Sequence, residues 1–264
     1  MIATALTIAG SDSGGGAGIQ ADLKTFSALG VYGTSVITAV TAQNTRAVTD
    51  VHPIPNASVA AQIAAVLGDI RVDAIKIGML GDAALTKTVA RALEGYRGPV
   101  VLDPVMVAKS GARLLPDAAR AALIAQLLPR ADLLTPNLPE AAALLGCSEA
   151  MNDAEMQNQG ARLRVMGAKA VLMKGGHGQG EICTDWLIAD EVTRLNARRI
   201  ATRNTHGTGC TLSSAIAAGL AKGLTVSKAV EDAHGWLHRA ILAADALEIG
   251  QGHGPVHHFH EVWT

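Results

Sequence analysis

The chain is poor in charge, nearly devoid of aromatics, and has no long apolar run. Charged residues make up 17% and aromatic residues 3% of its 264 positions, and the formal net charge is −1. No dense block of Lys and Arg occurs, so neither nucleic acid nor an anionic membrane surface is an expected partner. Scarce aromatic rings argue further against single-strand binding, which depends on base stacking. No apolar run approaches the ~18 residues expected of a membrane-spanning helix. The first residues, Met1 to Ala9, lack a basic stretch and run straight into glycines. They read as a strand and not as a secretory leader, so a cytoplasmic location is expected. Cys147, Cys183 and Cys210 are odd in number and widely spaced, which implies neither a disulfide framework nor a zinc site.

What is abundant is small and apolar. Hydrophobic residues reach 49% and there are 28 glycines. Such a mixture suits parallel strands with helices packed closely on them. A chain of this length forms one large α/β domain or two small ones. No repeat, low-complexity tract or linker-like shift divides it, so 1–264 is read as a single domain. Strands are predicted at 4–9, 35–41, 74–77, 100–102, 132–134 and 170–173. Helices are predicted near 18–29, 58–67, 83–94, 117–127, 138–145 and 153–166. Residues 181–190 and 191–201 read as an antiparallel hairpin, followed by helices at 208–222 and 226–247. The alternation predicts an α/β fold: a central, mostly parallel sheet, helices on both faces and a small antiparallel edge.

Ligands of open parallel sheets bind beyond the C-terminal ends of the strands. Polar or glycine-rich signals fall there repeatedly: Gly10 to Gly16, Gln43-Asn44, Gly78-Met79, Asp103-Pro104, Asn137 with Glu140, and Lys174-Gly175-Gly176-His177. One cleft is expected to gather them. The richest stretch is Asn204-Thr205-His206-Gly207-Thr208-Gly209-Cys210, a glycine turn opening a helix. Backbone N–H groups and the helix dipole favour an anion at such a place. Cys210 falls in the first helical turn, where a thiol pKa tends to be lowered. An anion hole beside a reactive group is compatible with a hydrolase, a phosphatase or a kinase.

Cysteine phosphatases need an arginine where Ile216 stands, whereas a Cys–His pair with His206 or His177 stays open. Gly16-Ala17-Gly18-Ile19-Gln20-Ala21 has the G-x-G-x-x-A form of a dinucleotide-binding oxidoreductase. That fingerprint calls for an acidic residue at the end of the second strand, and 36–43 has none. No G-x-x-x-x-G-K-[ST] occurs. Asp103 and Glu140 are candidate Mg²⁺ carboxylates and Lys174 a candidate partner of nucleotide phosphates. The competing reading makes Asp103 a turn cap and puts Glu140 on a solvated helix face. His253, His257, His258 and His260 fit no zinc spacing and read as surface or packing residues.

The pattern resembles the ribokinase-like superfamily of small-molecule kinases and, within it, the hydroxymethylpyrimidine/phosphomethylpyrimidine kinases of thiamine biosynthesis. The resemblance runs from end to end. It includes Ile8-Ala9-Gly10-Ser11-Asp12-Ser13-Gly14-Gly15-Gly16, Thr38-Ala39-Val40-Thr41-Ala42-Gln43-Asn44, Lys76-Ile77-Gly78-Met79, Asp103-Pro104-Val105-Met106, Thr135-Pro136-Asn137-Leu138-Pro139-Glu140 and Gly252-His253-Gly254-Pro255. It implies an ATP- and Mg²⁺-dependent kinase that phosphorylates the hydroxymethyl group of an aminopyrimidine and then the monophosphate. It further implies that Gly207, Thr208 and Gly209 form the anion hole and that Cys210 faces the substrate hydroxymethyl group as its base. Lys174 would meet the phosphates, Asp103 and Glu140 would organise Mg²⁺, and Asn137, Thr205 and His206 would line the ATP side. Gln43 would hydrogen-bond the ring edge, with Asp22, Gly10, Met79 and Val105 shaping that pocket. A homodimer is a family expectation. A pyridoxal or pyridoxine kinase is the near rival, because its substrate is also a flat ring with a hydroxymethyl group. Val107-to-Arg113 and His177-to-Gly180 are mobile by composition and are candidate lids.

Overall fold

The computed structural model describes residues 1–106, 116–176 and 180–263. The first candidate lid and most of the second therefore lie outside the described residues, as does His177.

Nine strands form one sheet in the order β3-β2-β1-β4-β5-β6-β7-β8-β9. They are β1 (Thr4–Asp12), β2 (Tyr32–Gln43), β3 (Val48–Pro53), β4 (Ala74–Ile77), β5 (Val100–Leu102), β6 (Leu133–Leu134), β7 (Val171–Met173), β8 (Ile182–Ile188) and β9 (Val192–Arg198). All pairings from β2 through β7 are parallel, and β3, β8 and β9 pair antiparallel. The central strands β4 to β7 are short, apolar and buried throughout, as strands covered on both faces must be. The only long side chain among them that carries a charge is Lys76, discussed below.

Helices α1 (Gly18–Ala28), α7 (Thr208–Ala221) and α8 (Val226–Leu242) cover one face. Helices α2 (Asn56–Asp69), α3 (Ala83–Ala92), α4 (Asp117–Gln126), α5 (Leu138–Leu145) and α6 (Asp153–Val165) cover the other. Helix α7 is buried almost all round, from Thr211 to Ala218, which only its run of Ser, Ala and Ile permits at close approach. Helix α5 starts with a reciprocal capping box, the Asn137 side chain accepting from Glu140 N and the Glu140 side chain accepting from Asn137 N. It ends at Gly146, whose φ of 63° is left-handed.

Two elements depart from the sequence reading. Strand β3 was not expected, because all its residues but the half-buried Val48 are exposed and they show no alternation. It exists by pairing with β2 at the sheet edge, so the sheet is antiparallel at both margins. The last long helix stops at Leu242 and is followed by a separate 3₁₀ turn, Ala244–Leu247.

Candidate active site

All six parallel strands point their C-terminal ends toward one cleft, a cavity of about 1150 Å³. Cys210, Gly207, Thr208, Gly209, Lys174, Gln43, Gly10, Met79, Val105, Asn137, Thr205, His206, Asp103 and Glu140 all line it. Of the residues expected there, Asp22 alone does not. At the end of β1 the register with β2 shifts between Ala9 and Ser11, a bulge of the kind that re-aims a strand near a site. It brings Gly10 against Met79, whose Cε lies 2.4 Å from where a Gly10 side chain would begin.

The start of α7 is shaped by two glycines with different constraints. Gly207 has a left-handed φ of 80°, and a Cβ there would sit 1.8 Å from the Gly16 carbonyl oxygen. The turn before α7 and the loop after β1 thus touch backbone to backbone, and no side chain fits between them. Gly209 is roomier: its Cβ would lie 3.4 Å from Lys174 Nζ and 3.7 Å from Asp103 Oδ2. The start of α7 therefore opens onto a cation and a carboxylate.

Lys174 follows β7 and ties those groups together, 3.1 Å from Asp103 Oδ1 and 3.9 Å from Glu140 Oε2. Burial alone would raise the Asp103 carboxyl. The charges of Lys174 and Lys76, with hydrogen bonds from Lys174 and Thr135, outweigh it and hold the carboxyl below its usual range. Burial lifts Glu140 to about 7 against the pull of Lys174, and the nearby Asp103 charge adds to the rise. Burial opposes the Lys174 charge too, yet Asp103 and Glu140 raise its pKa, so it stays an ammonium. Asn137 faces the cleft, but its side-chain oxygen is already committed to capping α5, 2.8 Å from Glu140 N.

The expected reactive thiolate is absent. Cys210 is partly open to the cleft, but the protein packed around it pushes its thiol up to about 11. Lys76 and the Gly18 N–H favour the thiolate, while Asp22 and Asp103 oppose it. Dense surroundings here defeat the helix-start effect that sequence position suggested.

Asp22 also takes a different role from the one expected. It is fully buried behind the cleft wall. Its carboxylate accepts from Thr7 Oγ1 at 2.6 Å, Ser214 Oγ at 2.6 Å and Lys76 Nζ at 2.8 and 2.9 Å. With both oxygens occupied, it has no face left for a ligand. Lys76, equally buried, is its counter-ion. The pair joins α1, β4 and α7 directly beneath Cys210.

The glycines of the loop after β1 do not form the open nest that their spacing suggested. Asp12 Oδ1 accepts from Gly14 N at 2.8 Å, and Oδ2 accepts from Gly16 N at 3.0 Å and Ala17 N at 2.8 Å. The chain's own carboxylate fills the anion nest that a pyrophosphate would need. Burial would raise Asp12, but hydrogen bonds from His206 and from the Ala17 and Gly14 N–H groups keep it below its usual value. His206 Nε2 is 2.9 Å from Asp12 Oδ2 and 3.3 Å from the Gln43 amide. It therefore sits beside Gln43, the expected ring-edge contact, with its Nε2 held by Asp12 and not by Cys210.

Asp12, Lys76, Asp185 and His234 were missed. Asp185, raised by burial, accepts from Gly175 N at 2.8 Å and lies 3.8 Å from His234 Nε2 across the cleft. The C-terminal histidines serve packing: His258 bonds Thr211 Oγ1 at 3.0 Å, and His257 and His260 pack at a tilt against Trp263 and Trp236. His253 Nδ1 meets the Arg203 carbonyl at 3.1 Å.

Comparison with known proteins agrees with this geometry. A family model described as phosphomethylpyrimidine kinase matches residues 12–257. A hydroxymethylpyrimidine/phosphomethylpyrimidine kinase of Rhizobium meliloti is 58% identical over 264 residues, covering 100% of this chain and 99% of the relative. That of Escherichia coli is 55% identical over 261 residues, 98% of each. Among solved structures, the ADP complex of Bacillus subtilis pyridoxal kinase superposes with a TM-score of 0.92 at 37% identity, covering 100% of both chains.

Proposed function

We propose that this chain, which belongs to the phosphomethylpyrimidine kinase family, is an ATP-dependent kinase of thiamine biosynthesis. It phosphorylates the hydroxymethyl group of hydroxymethylpyrimidine and then the monophosphate, giving the diphosphate. The observation that carries the reading is the start of α7. The Lys174 ammonium and the Asp103 carboxylate lie 3.4 and 3.7 Å from where a Gly209 side chain would begin, at a helix start whose dipole favours an anion. Phosphoryl transfer is mainly positioning and charge neutralisation, and this is a place built for both.

Gly207, Thr208 and Gly209 hold the transferring group through backbone N–H groups, and Lys174 neutralises its oxygens. Thr205 and Asn137 border the nucleotide side. Gln43 meets the ring edge, while Gly10, Met79 and Val105 close over the ring. Cys210 faces the hydroxymethyl group. With its pKa at about 11, roughly one thiol in ten thousand is ionised at pH 7. It therefore stands as a neutral thiol that orients the hydroxyl, and only its minor thiolate fraction is able to take the hydroxyl proton.

Asp103 and Glu140 suit a Mg²⁺ shared with phosphates. They are two buried carboxylates at the cleft, too few for a complete protein cage, which is how this ion is held by kinases. When bound, the ion supplies charge neutralisation between nucleotide phosphates. The chain acts as one domain over 1–264 and assembles as a homodimer. Among the described residues no helix is long and apolar enough to cross a membrane.

The second reading, a pyridoxal kinase, is favoured by the structural likeness to the Bacillus subtilis enzyme. One assay separates them: ATP with the pyrimidine alcohol or with pyridoxal, resolving mono- from diphosphate. Successive appearance of both pyrimidine phosphates is expected, and a strong preference for pyridoxal overturns the proposal.

A further inference from the structure

His206 stands between the two halves of the site. Its backbone N–H donates to the Gly254 carbonyl at 3.0 Å, and the next residue opens the turn into α7. Its ring, however, reaches the loop after β1. Nε2 lies 2.9 Å from Asp12 Oδ2, a group that only accepts, so Nε2 carries a hydrogen. The same atom is 3.3 Å from one end of the Gln43 amide. As drawn, the amide nitrogen faces that N–H donor to donor.

The opposite end of the amide lies 3.2 Å from Thr41 Oγ1, whose single proton is taken by the Ser11 carbonyl at 2.8 Å. Oxygen and nitrogen of an amide are told apart by their partners. Here both ends agree: Oε1 belongs toward His206, where it shares the single Nε2 hydrogen with Asp12 Oδ2, and Nε2 toward Thr41. The backbone beneath is fixed as well. Ser13 Oγ donates to the Gln43 carbonyl and accepts from its N–H, both at 2.8 Å.

We infer that His206, held by Asp12, is a positioning residue for the acceptor ring: it sets the Gln43 amide so that one donor and one acceptor face the cleft in a fixed order. This rests on the reading of Gln43 as the ring contact. A ring nitrogen beside an exocyclic amino group, as on an aminopyrimidine, matches such a pair at two points. A pyridine bearing a hydroxyl there offers no equivalent edge. Discrimination between the two alcohols thus depends on a residue that acts through Gln43.

The experiment compares wild type, His206→Leu and His206→Gln, with KM measured separately for ATP and the pyrimidine alcohol, and pyridoxal as competitor. Glutamine keeps a side-chain N–H near the position of Nε2; leucine has none. Leucine is expected to raise the acceptor KM about tenfold, the worth of one orienting hydrogen bond, and to narrow the preference over pyridoxal. The ATP KM should stay within about twofold of wild type, and glutamine should recover most of the loss. Thermal melts confirm that each variant is folded. A rise in the ATP KM with the acceptor KM unmoved overturns the inference, as does a glutamine variant as impaired as the leucine one. Wild type inactive on the pyrimidine alcohol would instead overturn the proposed function.

Discussion

Replacing Gly209 tests the anion hole most sharply, because the structure predicts opposite effects on stability and activity. A Cβ at 209 would lie 3.4 Å from Lys174 Nζ and 3.7 Å from Asp103 Oδ2, ordinary contact distances. Gly209→Ala should therefore fold. Gly209→Asp places a carboxylate where the transferring phosphoryl group must carry its charge. Two like charges about 4 Å apart at an effective dielectric of about 20 repel by roughly 4 kcal/mol. That corresponds to a loss of about 10³ in turnover. The same carboxylate can pair with Lys174, so the melting temperature should hold or rise. Gly209→Asn fills the same volume without the charge and should lose much less. Steady-state rates on the three variants, alongside thermal melts, decide the matter. Equal losses for Asp and Asn would refute the electrostatic reasoning.

Other expectations follow from the same contacts. Gly207→Ala meets both a φ of 80° and a carbonyl oxygen 1.8 Å away. It should destabilise by about 3 kcal/mol or more, measured by chemical denaturation, whereas Gly209→Ala should be nearly neutral. Lys76→Met leaves the fully buried Asp22 without its counter-ion and should cost about 3–5 kcal/mol. Adding Asp22→Asn should restore part of that, and full stability of the single variant would contradict the pairing. Cys210→Ala should retain measurable turnover, because general-base catalysis contributes about 10²–10⁴-fold in total. The thiol pKa is raised from 9.0 to about 11, so the thiol stays protonated through neutral pH and ionises only as pH climbs through that value. Alkylation of Cys210 by iodoacetamide should be slow at pH 7 and rise roughly tenfold per pH unit toward that value; a plateau near pH 8 would contradict it.

The cleft was legible because it depends on a rule of direction. Parallel strands end on one side, so Gln43, Asp103, Glu140 and Lys174 had to converge once the strands were placed, although 131 positions separate Gln43 from Lys174. What misled was each place where a side chain satisfied a neighbour that only folding supplies. The glycine fingerprint, already discounted for want of an acidic residue in 36–43, is occupied from within by Asp12, four residues before Gly16. Cys210 was read from its helix position, whereas its proton affinity is set by the burial that α1 and β4 impose. Asp22 looked like a pocket carboxylate until Lys76, 54 positions away, proved to be its partner.

Strand β3 failed differently, having no periodic pattern to detect, since its pairing with β2 and not its side chains defines it. These misreadings share a physical cause. Position along an element states which groups a residue can offer, but the pKa and the free valence of those groups depend on partners brought in by tertiary packing. Asp22 is buried with Lys76 behind the cleft wall, whereas Asp12 and Cys210 line the cleft itself. Asp12 ties the loop after β1 together through Gly14, Gly16 and Ala17, and Asp22 ties α7 to the core through Ser214, so both carboxylates hold the cleft walls in place with oxygens already spent.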